Sequence, residues 1–259
     1  MEKQIQVQNL RINYNESGTG ETTIVLLHGW GCDSKIFGAL QAHLESKFRV
    51  IALDFPGLGC SQEPTEPWGT AEYTTFTKDW LTAIGVTNPI VIGHSFGGRI
   101  ILRLSKEISF RKIIITGGAG LRNQVDAKKN VSMKSRMFKL MKSVVNILPV
   151  SSTKKEQLID GGIRKYKFGS ADYQAASPMM RKVLVKVVNE DLRDFLPFVK
   201  SSTLLIYGEN DTATPVTLAK IMEKEIKDAG LVVLKNAGHF AFLEQQAQFL
   251  AIIDHFLNG

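Results

Sequence analysis

The chain has 259 residues, 44% of them hydrophobic and 22% charged, a balance that suits a globular protein with a sizeable core and excludes disorder, collagen and coiled coil. Its net charge of +7 is local: residues 121–200 hold 17 Lys and Arg against 7 Asp and Glu, a net of +10, and the other 179 residues hold 15 against 18, a net of −3. No apolar run approaches the roughly 18 residues of a membrane span, and Met1-Glu-Lys-Gln-Ile-Gln lacks the apolar stretch of a signal peptide. Cys32 and Cys60 make neither a disulfide framework nor a metal-ligand spacing, so a cytoplasmic, reducing setting with no cysteine-based cofactor is expected.

In chain order, Ile5 and Val7, then Leu10, Ile12 and Tyr14, alternate with polar residues ahead of the turn Asn15-Glu-Ser-Gly-Thr-Gly, which predicts an opening pair of strands. Short fully apolar runs follow at Thr23-Ile-Val-Leu-Leu, Val50-Ile-Ala-Leu, Ile90-Val-Ile, Ile113-Ile-Ile, Thr203-Leu-Leu-Ile-Tyr and Leu231-Val-Val-Leu. Each reads as a strand covered on both faces. Helical spacing joins them: Ile36, Phe37, Leu40 and Leu44; Tyr73, Phe76, Trp80 and Ile84; Phe249, Ile252, Ile253 and Phe256. This β-α alternation predicts an α/β fold, a mainly parallel, doubly wound sheet with helices on both faces.

The alternation stops between about Gly120 and Phe195. Met137, Phe138, Met141, Val144, Val145 and Leu148 recur there at steps of three and four, with Arg136, Lys139 and Lys142 on the other side and Lys134 interrupting the apolar face. A second helix is predicted around Met179 to Val188, with breaks at Pro149, Gly161-Gly162 and Pro178. Residues 121–195 are therefore expected to be an α-helical cap inserted into a core domain of residues 1–120 and 196–259. The apolar stripe would either line an acyl pocket or pack the cap on the body.

Chemistry concentrates at Gly93-His94-Ser95-Phe96-Gly97, a G-x-S-x-G run between the strand Ile90-Val-Ile and the helical run Gly98-Arg-Ile-Ile-Leu-Arg-Leu. A serine on so sharp a strand-to-helix turn has a strained backbone, needs small residues at Gly93 and Gly97, and projects its hydroxyl from the carboxyl edge of the sheet. Ser95 needs a base, and His239 follows the last predicted strand at the same edge. The base needs an orienting acid, and Asp211 follows the preceding strand, in the chain order Ser, Asp, His. An oxyanion needs two backbone donors. His28-Gly29-Trp30-Gly31, directly after a strand, offers the Trp30 N–H to pair with that of Phe96.

Together these motifs resemble the α/β-hydrolase superfamily: H-G-W-G at 28–31, D-x-P-G-x-G-x-S at 54–61, G-H-S-x-G-G at 93–98, G-x-x-D-x-x-x-P at 208–215 and G-H-x-x-x-x-E at 238–244. They stand in the family's order and span nearly the whole chain outside the cap. Gln246 replaces the proline usual two residues beyond the glutamate, which touches only the start of the final helix. The resemblance implies catalytic Ser95, Asp211 and His239, an oxyanion hole at Trp30 and Phe96, and supporting roles for His28, Gly29, Gly31, Gly93, His94, Gly97 and Gly98. Serine at the nucleophile position argues against the epoxide hydrolases and haloalkane dehalogenases, which carry aspartate. Carboxylesterases, lipases, C–C hydrolases of ring-fission products, perhydrolases and a few signalling receptors share the motifs.

Structural roles compete with chemical ones at several positions. His28 is expected to shape the oxyanion turn and His94 to pack beneath the elbow, while His43 and His255 sit in amphipathic helices. Asp54 is expected to bond its own Pro-Gly loop, and Glu209 is a distant rival to Asp211. Cys32 and Cys60 read as small buried thiols. The basic cap surface is either solvated or faces an anionic partner such as a carrier protein, an acidic substrate or a phospholipid surface; no nucleic-acid recognition motif is present.

The expected function is serine hydrolysis of a small or medium acyl compound, foremost a carboxylic ester, with no metal or organic cofactor. The alternatives are a C–C hydrolase of a ring-fission diketone and, from another class, a slow-turnover ligand sensor that signals through a partner.

Overall fold

The computed structural model describes residues 1–122 and 133–259, with the side chains of all of these except 133–135. The stretch 123–132 of the expected cap, and the Lys134 side chain, lie outside the described residues.

Eight strands form one sheet: β1 (Glu2–Val7), β2 (Leu10–Ser17), β3 (Thr23–Leu27), β4 (Arg49–Leu53), β5 (Ile90–His94), β6 (Lys112–Thr116), β7 (Thr203–Gly208) and β8 (Ala229–Leu234). Their spatial order is β1-β2-β4-β3-β5-β6-β7-β8. The β1–β2 and β2–β4 pairings are antiparallel, and the others are parallel.

The apolar runs exist because both faces of the sheet are covered. In β3, Val25 and Leu27 pack on the side of α2 (Thr70–Ala83), α3 (Phe96–Leu104) and α8 (Val216–Glu225). Ile24 and Leu26 point to the opposite side, against α1 (Gly38–Leu44) and α10 (Gln246–Asn258). All four are almost wholly buried, and burying such a side chain stabilises the fold by about 1.5–3 kcal/mol. The stretch expected to make the first helix divides into a 3-10 turn (Ser34–Phe37) and α1.

Between β6 and β7 the described elements are helical: α4 (Met133–Ile147), α5 (Ser152–Tyr166), α6 (Ala171–Ala175), α7 (Pro178–Asn189) and a 3-10 segment (Arg193–Phe198). Pro178 stands at the first turn of α7, where a missing N–H costs nothing. Pro149 falls between α4 and α5. Gly161-Gly162, expected to break a helix, instead lies inside α5. A Cβ on Gly162 would come within 2.3 Å of Met141 Sδ, so close packing of α5 on α4 outweighs the weak helix propensity of glycine.

The apolar stripe of α4 follows neither expected course. Val145 is buried and Phe138 stacks near Phe168 and Tyr173, inside the cap. Met137 and Val144 are half exposed, as is Leu140 beside them. Lys142 is not opposite the stripe either, because its Nζ sits 5.2 Å from the centre of the Phe138 ring. The short α9 (Ala241–Glu244) is separated from α10 by Gln245 alone, at the place where Gln246 stands for the usual proline.

Candidate active site

Parallel pairing brings the carboxyl ends of five strands together. Leu27 of β3 pairs with Gly93 of β5, His94 with Thr116 of β6, and Gly208 of β7 with Leu234 of β8. The loops that leave this edge carry Trp30, Ser95, Asp211 and His239, so chain topology assembles residues separated by more than two hundred positions.

Ser95 turns the chain from β5 into α3 at φ 48° and ψ −105°, a conformation that costs a non-glycine residue about 1–3 kcal/mol unless its surroundings enforce it. They do so here with a ring of main-chain bonds. The Ser95 N–H donates to Thr116 O at 3.2 Å, and Gly98 and Ala119 N–H groups donate to Ser95 O at 3.0 and 3.1 Å. Tight packing demands the flanking glycines: a Cβ on Gly93 would lie 2.4 Å from Ile101 Cδ1, and one on Gly97 would lie 2.0 Å from Leu27 O.

His239 Nδ1 lies 2.8 Å from Asp211 Oδ2. The Asp211 side chain is fully buried, and His239 keeps about a fifth of its side chain accessible. Burial pushes the Asp211 carboxyl upward, but bonds from His239, the Thr214 N–H and the Thr214 hydroxyl outweigh it, so the group sits below the ordinary carboxylate value. An ionised Asp211 makes Nδ1 the donor and leaves Nε2 as the basic nitrogen. Glu244 steadies the loop, accepting the Gly238 and Phe240 N–H groups on either side of His239 at 2.7 and 3.2 Å.

Trp30 and Phe96 border the same cavity as Ser95. Among the described residues, neither main-chain N–H has an acceptor, and that of Phe96 opens helix α3, where the dipole favours negative charge. The cavity has a volume of about 530 Å³ and takes its far wall from Leu184, Val187 and Val188 of α7. No described residue of α4 lines it.

The other expected positions take structural roles. His28 is fully buried with both ring nitrogens engaged: Nδ1 donates to Gly29 O at 2.7 Å, and Nε2 accepts the Phe55 N–H at 3.1 Å. His94 donates from Nδ1 to Thr116 O at 3.1 Å, its ring centre 4.8 Å from that of His239. Burial pulls its pKa down to about 3, so it is neutral. Gly29 passes directly over it, since a Cβ there would meet His94 Cδ2 at 2.8 Å. Gly31 has φ 72°, and a Cβ on Gly98 would touch Gly118 Cα at 3.1 Å. Asp54 accepts bonds from Ser34 N–H, Cys60 N–H and Asn13 Nδ2, holding its own loop. Glu209 is bonded to Asn236 N–H, and His43 pairs with Asp254 across α1 and α10 at 2.9 Å. The thiols depart from expectation: Cys60 is exposed and Cys32 only partly buried.

Three residues of the site escaped sequence reasoning. Thr214 braces Asp211; its spacing of three residues, with a side chain able to bond back, was the available signal. Arg99 and Arg122 line the cavity. Arg99 was legible as a cation in an apolar helix one turn beyond Ser95.

The chain matches the Alpha/beta hydrolase family over residues 24–252. It is 26% identical over 263 residues to the pimeloyl-[acyl-carrier protein] methyl ester esterase of Nitrosospira multiformis, covering 94% of this chain and 97% of that one. Among solved structures, an esterase from Exiguobacterium antarcticum superposes with a TM-score of 0.76 at 23% identity, covering 100% of both chains. A meta-cleavage product hydrolase from Pseudomonas fluorescens superposes with a TM-score of 0.72 at 19% identity, covering 99% of this chain and 97% of that one. At these identities the structural likenesses speak for the fold.

Proposed function

We propose, from the premise that the chain belongs to the alpha/beta hydrolase family, that it is a serine carboxylesterase acting on a small or medium acyl compound. The observation that carries this reading is the 2.8 Å contact of His239 with the buried Asp211, beside a cavity that a strained Ser95 also borders. In the first half-reaction Ser95 Oγ attacks the ester carbonyl carbon as His239 Nε2 takes its proton. The carbonyl oxygen becomes an oxyanion facing the Trp30 and Phe96 N–H groups. The ester C–O bond then breaks, and the alcohol leaves with the proton held by His239. In the second half-reaction water adds to the acyl-Ser95, giving its proton to His239. The acyl–Ser95 bond breaks, the proton returns to Ser95, and the carboxylic acid departs. Asp211 holds the imidazole tautomer and stabilises the imidazolium throughout. Side chains and main-chain amides supply every group these steps use. The free thiols Cys32 and Cys60 support a reducing, cytoplasmic setting.

Reaction with a fluorophosphonate, followed by peptide mass spectrometry, should place the label on Ser95 alone. Steady turnover of p-nitrophenyl acyl esters by the wild type, abolished in Ser95→Ala, completes the test. Preferential cleavage of a ring-fission diketone would move the assignment to C–C hydrolysis, and arrest near one turnover per site would move it to ligand sensing.

A further inference from the structure

Arg99 sits on α3 four residues after Ser95, so the two share a helix face one turn apart. It is 7% exposed and lines the cavity that Ser95 borders. Its one side-chain hydrogen bond to a described residue runs from Nη1 to the Glu190 main-chain oxygen at 3.0 Å. The Glu190 carboxylate is engaged elsewhere, by Arg103 and the Thr70 hydroxyl. Among the described residues no carboxylate reaches salt-bridge distance of Arg99. Glu190 and Asp191 act on it only through space; a guanidinium carries five N–H donors, and burying it with most of them unpaired is costly. Burial pulls its pKa down to about 10, which leaves it charged at neutral pH.

Arg122 adds a second cation to the same cavity, its Nη1 donating to Asn189 O at 3.3 Å. The acidic group of the wall stands elsewhere: Asp172 of α6 lies against the Trp30–Gly31 turn, with Oδ1 3.3 Å from where a Gly31 Cβ would be. Leu184, Val187 and Leu218 supply apolar surface between these groups. The cavity thus joins the proposed nucleophile, an apolar lining and a buried guanidinium that Glu190 and Asp191 influence through space but no carboxylate among the described residues touches.

We infer that Arg99, assisted by Arg122, binds a carboxylate at the far end of the substrate, so that the ester cleaved at Ser95 is a monoester whose other end is an ionised carboxylate. The flat guanidinium matches a carboxylate in a two-bond fork. An ester lacking that anion leaves guanidinium N–H groups without an acceptor. This inference rests on the esterase reading of the site.

The test compares kcat/KM for the monoethyl esters of succinate, glutarate, adipate and suberate with that for neutral ethyl esters of matched length. The wild type should prefer at least one monoester by about tenfold or more, one well-placed charged bond being of that order. Arg99→Gln should bring the ratio toward one, mainly through KM. Arg99→Lys should restore part of it, and Arg122→Gln should lower it less. Free adipate or glutarate should compete with a neutral p-nitrophenyl ester in the wild type. Equal kcat/KM for anionic and neutral esters with no such competition, or competition by inorganic phosphate in place of the dicarboxylates, overturns the inference. Should Arg99→Gln fail to fold, the wild-type preference and Arg122→Gln decide. Calorimetric titration of Ser95→Ala with the dicarboxylates separates the two readings. Binding there without turnover of any ester by the wild type keeps the subsite and removes the esterase, whereas turnover of neutral esters without binding removes the subsite alone.

Discussion

Thr214 holds its hydroxyl 2.7 Å from Asp211 Oδ2, the oxygen that also meets His239 Nδ1. The other carboxylate oxygen receives the Ala213 and Thr214 N–H groups, both at 2.9 Å. Asp211 is thereby fixed in rotation before His239 is added. Gly117 closes the arrangement at φ 51°: a Cβ there would stand 3.2 Å from His239 Nδ1 and 3.3 Å from Asp211 Oδ2.

Asp211→Asn preserves this shape but favours the wrong imidazole tautomer, and kcat for a p-nitrophenyl ester should fall on the order of 10⁴-fold. Thr214→Val removes one of the bonds to the carboxylate, and a loss near tenfold is expected. Asp54→Asn should keep near-wild-type turnover while lowering stability by about 2 kcal/mol, because three bonds to Asp54 hold the 54–61 loop outside the proposed reaction. Steady-state kinetics with urea melts of the same samples checks all three. A nearly unimpaired Asp211→Asn would falsify its assignment as the orienting acid.

In the proposed mechanism Ser95 and His239 act in the same proton transfer, so their losses should not add. Each alanine variant should lower turnover by several orders of magnitude, and the double variant should be only slightly slower than either single one. Single-turnover rates on one activated ester give the comparison. Multiplicative losses would mean that the two residues serve separate steps.

The strands, and which residues meet at the candidate site, were legible for the same reason. A parallel strand covered on both faces must be apolar throughout, and the residues just past such strands must meet at one edge. Ile24 to Leu27, then His28 to Gly31, show that logic in eight residues. The cap lacked such a constraint. Gly161 and Gly162 were misread because the partner that favours them, Met141, is a tertiary neighbour. The α4 stripe misled because periodicity reports an apolar face without saying what it meets, and Met137, Leu140 and Val144 meet largely solvent. Arg99 left a signal, a cation among the apolar residues of GGRIILRL one turn beyond Ser95, but nothing in that run tells what the cation faces.

Glu244 should act as a positioning residue for His239. Its carboxylate joins the Gly238 and Phe240 N–H groups, so Glu244→Ala releases both sides of the histidine while leaving the cavity wall intact. The expected result is a kcat loss of about 10- to 100-fold with little change in KM, and a smaller loss in Glu244→Gln, whose amide oxygen still accepts. A KM increase at constant kcat would instead place Glu244 in substrate binding.

Stability should begin to fall with pH before Asp54 and Asp211 are protonated. Burial holds both His28 and His94 below the ordinary histidine value of 6.5, His94 at about 3. As pH falls through 6.5 the unfolded chain takes up protons that the folded chain refuses. The stabilisation is therefore complete above about 6.5 and is lost as pH falls, for His94 progressively toward 3 with a slope of up to about 1.4 kcal/mol per pH unit and for His28 in the same direction. Asp54 and Asp211, held below 3.8, add their share only under that value. Urea melts at pH 7, 6 and 5 should show the decline, and His94→Gln should reduce the slope by up to about 1.4 kcal/mol per pH unit. An unchanged slope in that variant would assign the decline to other groups.

Salt should separate the exposed cations of α4 from the buried Arg99. Arg136, Lys139 and Lys142 on α4 are exposed, and exposed charges act over about 8 Å at physiological ionic strength. Arg99 is buried and escapes most of that screening. Replacing the three α4 residues together by Gln should leave kcat for a neutral ester unchanged, because a neutral molecule feels little long-range field. For an anionic ester the same replacement should lower kcat/KM severalfold at low ionic strength, and the difference from wild type should vanish as salt rises. The preference that Arg99 confers should persist at high salt. A wild type whose kcat/KM for anionic esters does not respond to salt would reduce the α4 charges to a solvated face, and the +10 of residues 121–200 would then play no part in substrate encounter.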